Sequence, residues 1–292
     1  LASPGIKLHG SGFIVTPKQA QSLGLGKVPG LDRHIRPYRH GRDLTQRPRG
    51  VMVIDLYPLR ESDVRDHFPD VYQHVHDRVK PERDQNKRAS YREKWWIFGE
   101  PRTELREFLD DLERYIATVE TSKHRFFQFL DAAVRPDNML VAIGLHDAAH
   151  LSLLSSSLHV RWMLAAGARL GIGNDPRYSK SRCFDPFPFQ DISELSQATV
   201  DRLRDLGERL DRHRKDRLAT HEHLTMTGLY NVLERVRALE AGTDELSLSE
   251  SERDVWDAGQ VGILQELHDE IDAEVLRAYG WDDLIDALVG KP

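Results

Sequence analysis

The feature that most constrains this chain is a change of hydrophobic period near Asp191. Before it, apolar residues come in short runs cut by turn formers. VMVIDL, YIATVET, RFFQFLD and MLVAIGL are bounded by Gly, Pro, Asn or Asp and read as strands. After it, apolar residues recur at helical spacing. Leu195, Val200, Leu203, Leu206 and Leu210 form one stripe, Leu224, Leu229, Val232, Leu233, Val236 and Leu239 a second, and Val255, Val261, Leu264, Leu267, Ile271, Val275 and Tyr279 a third. Three stripes joined by polar connections predict a three-helix packing. The expected fold class is therefore α+β: a mixed α/β domain over 1–191 followed by an all-helical C-terminal domain over 192–292. A chain of 292 residues has room for two domains that each fold alone.

Within the first part, Val64, Phe68, Val71, Tyr72, Val75 and Val79 make a helical stripe, with Pro69 at a kink or a new first turn. LSLLSSSLHVRWMLAAGARL reads as a strand that turns into a helix, with Ser155, Ser156 and Ser157 as cap candidates. Prolines 186 and 188 forbid regular structure in DPFPF.

Charge is unevenly spread. The whole chain carries −6, yet residues 1–50 hold nine basic and two acidic side chains, a net of +7. Residues 193–292 hold 12 basic and 23 acidic side chains, a net of −11. A basic front with an acidic rear fits a protein that meets a polyanion with one part only. No apolar run approaches a membrane span and no signal-peptide pattern opens the chain, so no membrane partner is expected. A single cysteine, Cys183, excludes a disulfide framework and fits the cytoplasm. The first residue is Leu, as expected of a piece of a longer polypeptide.

RWMLAAGARLGIGNDPRYSKSRCFDPFPF, residues 161–189, runs from an amphipathic helix through glycines into a polar, basic loop. Its Asn174, Asp175, Arg177 and Lys180 are side chains of the kinds that read base edges: Asn on adenine, Asp on the cytosine amine, Arg and Lys on guanine. HIRPYRHGRDLTQRPRG supplies Arg36, Arg39, Arg42, Arg47 and Arg49, which with Arg182 are the phosphate candidates. The same arginines would equally serve to dock another domain.

Catalytic motifs are scarce. There is no G-x-G-x-x-G, Walker loop, H-E-x-x-H or C-x-x-C. His146, Asp147 and His150 form the best metal candidate, but MLVAIGL before them reads as a strand, where residues four apart diverge. A His-dependent metallohydrolase on these residues, or a non-catalytic protein-interaction module, are the competing readings.

HIRPYRHGRDLTQRPRGVMVID, RVKPERDQNKRASYREKWWIFGEPR, YIATVETSKHRFFQFLDAAVRPDNMLVAI, HLSLLSSSLHVRWMLAAGARLGIGNDPRYSKSRCFDPFPF and GLYNVLERVRALE occur here in one order. In that order they resemble the C-terminal part of the MmeI-like single-chain DNA methyltransferases of bacterial restriction-modification systems, type IIG/IIL. The resemblance implies a target recognition domain plus a helical C-terminal domain, with double-stranded DNA and an upstream methyltransferase domain of the same polypeptide as partners. The family methylates adenine with S-adenosylmethionine. Neither the cofactor loop nor the Asn-Pro-Pro-Tyr tetrad is present here, and HGSGFIVTP is only a Gly-rich stretch. The resemblance thus implies a DNA-reading fragment with no cofactor of its own, the cofactor belonging to the parent enzyme. It places base reading just before Arg177-Tyr178-Ser179, at Gly173, Asn174 and Asp175.

Overall fold

The computed structural model describes residues 2–170, 175–243 and 246–291. Its strands are β1 (Ala2–Pro4), β2 (Ile14–Val15), β3 (Ile35–Arg39), β4 (Met52–Ile54), β5 (Arg114–Val119), β6 (Gln128–Asp131), β7 (Arg135–Pro136), β8 (Leu140–Ile143), β9 (Ala168–Leu170) and β10 (Asp175–Arg177). One sheet has the order β1-β8-β5-β6, all antiparallel. A second has the order β2-β4-β3-β7, in which β3 and β7 run parallel. β9 and β10 form an antiparallel hairpin. The described elements between 197 and 278 are helices, and the fold is α+β.

The helices start where the chain offers caps. Ser156, Ser196, Thr225 and Ser249 each accept a backbone N–H from the first turn that follows. Pro69 opens a new helix, Pro69–Arg78, after Glu61–His67 ends. The third rear stripe is broken. Gln260 sits at φ 47°, in the left-handed region, and separates helix Glu250–Gly259 from helix Val261–Ala278. The rear therefore has four main helices among the described residues rather than the three expected, because apolar period does not register a one-residue reversal of backbone hand.

A second expectation also changes. HLSLLS lies in helix Ala148–Ser155, not in a strand. Asp147 caps it, accepting the Ala149 N–H at 2.9 Å. Leu151 and Leu154 pack with Ile116, Phe127 and Val141 of the sheet side, while Ala149 and Leu153 pack with Leu203 and Leu206. A helix covered on both faces is apolar all round and shows no clear period.

The two parts share a core. Leu105, Tyr115, Ala117, Leu140 and Leu153 belong to the same buried cluster as Leu203, Leu210, Leu229, Leu264 and Ile271. Each such leucine contributes about 1.5–3 kcal/mol on burial, so the rear helices are held against the sheet by the same effect that folds it. A separate cluster, with Phe13, Ile35, Ile54, Val71 and Phe98, fills the space between the second sheet and the Glu61–Arg78 helices. A buried carboxylate ties the end of β4 to β7 of the same sheet and to helix Thr103–Asp110. Asp55, 1 % exposed, accepts Arg106 Nη2 at 2.8 Å, Arg106 Nη1 at 2.5 Å and Arg135 Nε at 3.0 Å.

Candidate nucleic-acid interface

The β9–β10 hairpin is bolted to the end of β5. Tyr178 N–H donates to Glu120 O at 2.7 Å and Ser122 N–H to Pro176 O at 3.4 Å. Arg177 reaches Glu120 Oε1 with Nε at 3.0 Å and Nη2 at 2.7 Å. Beneath them lies Arg125, 8 % exposed, donating to Thr118 Oγ1 at 2.9 Å, to Val119 O and to Pro176 O at 3.1 Å. Its guanidinium carbon is 5.3 Å from the centre of the Tyr178 ring. No carboxylate partners it among the described residues, and burial lowers its pKa to about 10. The buried cation works as a clamp on loop carbonyls.

The segment after the hairpin is pinned by rings. Tyr178 is fully buried and its hydroxyl meets His159 Nε2 at 3.0 Å. Phe187 stands edge-on to His159 at 4.4 Å, and Phe189 packs on Phe187 at 4.8 Å. Burial pushes His159 down to about 3, so it is a neutral packing group at physiological pH. Where the preceding helix ends, a Cβ on Gly167 would come 2.5 Å from Met163 O, so only glycine lets the chain turn there. These supports make the DPFPF staple an anchor for the segment that follows β10.

The predicted base readers divide. Asn174, with Gly173, lies outside the described residues. Asp175 is half-buried at the start of β10. Arg177 is held by Glu120, and Lys180 is exposed in an ion pair with Asp185 at 3.1 Å.

The predicted phosphate contacts divide as well. Arg36 donates to Ala133 O at 3.0 Å, and Arg39 to its neighbour Tyr38 O at 3.3 Å. Arg47 reaches the carbonyls of Leu218 (3.5 Å) and His221 (3.2 Å), where a cation suits the end of helix Gln197–Thr220. Arg49 grips Asp43 bidentately, Nε to Oδ1 at 2.9 Å and Nη2 to Oδ2 at 2.7 Å. Burial would raise the Asp43 carboxyl, but the Arg49 and backbone bonds hold it below its ordinary range. Of these arginines, only Arg42 and Arg182 are exposed with side chains that have no partner of any kind among the described residues. Arg42 is carried by the Gly41–Thr45 helix, which packs on β5, as the hairpin does. One strand end thus carries β10, with Asp175 and Arg177, beside the free arginine.

Sequence reasoning missed Arg125, His159 and Glu120. A lone arginine opening the apolar run RFFQFLD was the one available signal for the first. The His146/Asp147/His150 candidate has another use: Asp147 caps its helix and is bonded by Arg204 Nη2 at 2.7 Å. Among the described residues no cluster of three or more His, Cys, Asp or Glu could hold a metal ion.

Comparison with the curated proteins returns no match. Among solved structures, the type IIL restriction-modification enzyme MmeI in complex with DNA superposes with a TM-score of 0.67 at 18 % identity, over 99 % of this chain and 34 % of that one. The chain thus spans about a third of the length of that enzyme and shares its fold there. The family described as MmeI, target recognition domain, matches residues 6–191, well over half of the chain, and this protein belongs to it.

Proposed function

We propose that this chain is the DNA-reading portion of a restriction-modification enzyme. The observation that carries this is the convergence on the end of β5, where the clamped hairpin and the exposed Arg42 flank the same strand, with Arg182 following the hairpin. A rigid scaffold holding a polar loop beside unpaired cations suits recognition in which phosphate contacts set register and base edges set sequence. Asp175 offers an acceptor to the cytosine amine, and Asn174 takes the adenine contact. Arg42 and Arg182 take phosphates, joined by Lys180 where its exposed pair with Asp185 opens. Arg36, Arg39, Arg47 and Arg49, each bonded within the fold, hold the frame.

In this reading, adenine methylation with S-adenosylmethionine belongs to an upstream domain of the same polypeptide in the cytoplasm. The target for this chain is duplex DNA. The test is retention of duplex DNA by the chain across a salt series. We expect binding at low salt that falls steeply, with a log–log slope of about −0.9 per phosphate neutralised. No binding to any duplex at low salt sinks the proposal. In the intact enzyme, methylation-site mapping of Asp175→Ala should show a changed base preference at one position, each base contact discriminating by about 1–3 kcal/mol. An unchanged site clears Asp175 of reading.

A further inference from the structure

A second feature of the basic front is a cavity of about 320 Å³ between the Lys7–Ser11 strap and the segment after β3. Its lining includes Lys7, His9, Ser11, His40, Arg49 and Asn138. The strap is built for close approach. His9 holds a φ of 49°, and its ring lies 4.9 Å from the Tyr91 ring. A Cβ on Gly99 would meet the His9 ring at 2.5 Å. His9 Nε2 is buried and has no hydrogen-bond partner among the described residues.

Below the strap sits Arg83, 1 % exposed, donating to Leu8 O at 2.8 Å and Ile97 O at 2.9 Å. Its Nε and Nη1 are unpartnered, and it has no ion pair among the described residues. The guanidinium, 5.8 Å from the Phe13 ring centre and 5.2 Å from that of Tyr91, leaves a positive field under the strap. Of the acids beside the strap, Glu100 is already bonded to Arg102 at 2.7 Å, while Lys7 lies 3.9 Å from it. The field at His9 is net positive: burial, Lys7, Arg83 and Arg88 lower its pKa and only Glu100 opposes them. Asp137, the acid in the wall, already accepts the Tyr38 hydroxyl at 2.5 Å and the Met139 N–H at 2.9 Å. The open groups are therefore donors.

We propose that this cavity binds one phosphoryl group, supplied by the backbone of duplex DNA. This rests on the DNA-reading function and extends the phosphate contacts from Arg42 across the second sheet. Lys7 supplies charge, while Ser11, Asn138 and His9 Nε2 supply directed hydrogen bonds.

The test follows the His9 ring nitrogens by NMR in the full chain, with inorganic phosphate and with a short DNA duplex as separate probes. Millimolar phosphate should shift Nε2 saturably, and duplex should produce the same shift at far lower concentration. Ser11→Asp, an exposed change that sets a carboxylate at the mouth, should abolish both shifts. Lys7→Gln should make the salt slope of duplex binding shallower by about 0.9. Duplex that binds without moving His9, with an unchanged slope in Lys7→Gln, overturns the cavity's role and leaves the DNA-reading function standing. A His9 shift with phosphate alone, while duplex binds elsewhere, overturns the DNA source. If no duplex binds at low salt, the DNA-reading function fails, and the DNA source fails with it. The inorganic phosphate response, abolished or not by Ser11→Asp, then decides whether the cavity takes a phosphoryl group.

Discussion

The front and rear of this molecule differ in the charge they bury without a counter-charge, since the front's buried Asp55 is matched by Arg106 and Arg135. The front buries arginines. Arg83 holds Leu8 O and Ile97 O, and Arg125 holds Val119 O and Pro176 O, neither with a carboxylate among the described residues. In the rear the buried Arg214 lies 3.9 Å from Asp211, which Lys215 also pairs at 2.6 Å, and the charge buried without an ion pair among the described residues is an acid: Asp272, 4 % exposed, accepts the Ser157 N–H at 2.7 Å. Both devices pin loops and helix starts to the core. They differ in the field they leave behind. Uncompensated cations under the strap and hairpin keep the front positive just where the outward polar groups gather, and the rear acids keep the polyanion to one side.

The largest expected effect tests whether the two regions are one unit. Leu203 is fully buried in the cluster that spans both. Leu203→Ala should cost roughly 2–5 kcal/mol and should unfold front and rear together. Resolved amide signals of β5 in the front and of helix Val261–Ala278 in the rear report the two regions separately. Two separated transitions would show independent domains and break the comparison at its base.

Next comes the rear's acid. Burial raises Asp272 from 3.8 to about 6, against the pull of its Ser157 bond and Arg237. A carboxyl whose folded pKa lies above its unfolded value prefers to be neutral in the folded state. Its contribution to stability is full below pH 4 and is lost as pH rises through 6, a loss of at most about 3 kcal/mol at 1.36 kcal/mol per unit. Asp272→Asn keeps an acceptor for Ser157 and removes the titration. It should melt higher than the parent protein at pH 8 and level with it at pH 4. An equal difference at both pH values would show that Asp272 does not titrate in this range.

The front's clamp should weigh less. Arg125→Met removes donors from two carbonyls and Thr118 Oγ1, at about 1–3 kcal/mol for a buried group left unpaired. It also relieves the burial of a charge, which offsets part of that cost. Amides of 175–178 should exchange faster with solvent than those of β8. Uniform loss of protection would mean the clamp is global rather than local.

What was legible in the sequence follows from the range of each cause. Local patterns showed well: strand runs such as YIATVET, the first-turn role of Pro69, and the cap at Ser156 all depend on residues a few positions apart. The MmeI-like segments identified the family. Partners distant in sequence stayed hidden. Nothing local says that Arg47 meets Leu218 O while the Arg42 side chain meets no partner among the described residues, since both sit in one arginine-rich run. Helix Ala148–Ser155 was hidden by being covered on two faces, and the break at Gln260 by lying inside an unbroken apolar stripe. The shared core was invisible because period shows that a face is apolar and not what covers it.

The smallest expected effect separates a free cation from a clamped one. Arg49 satisfies Asp43, whose side chain is fully buried, and Arg49→Ala leaves that carboxylate without its bidentate partner. It should lower stability by about 1–3 kcal/mol and alter DNA affinity mainly through that loss. Arg42→Ala removes no side-chain partner among the described residues and should stay within about 0.5 kcal/mol of the parent stability. It should nonetheless weaken duplex binding about equally for every sequence and make the salt slope shallower by about 0.9, since phosphates look alike at every step. Denaturant melts and salt titrations on the two variants give four numbers. If Arg42→Ala leaves the slope unchanged while Arg49→Ala flattens it at constant stability, the clamped arginine rather than the free one meets the DNA, and exposure without a partner is no guide to the interface in this fold.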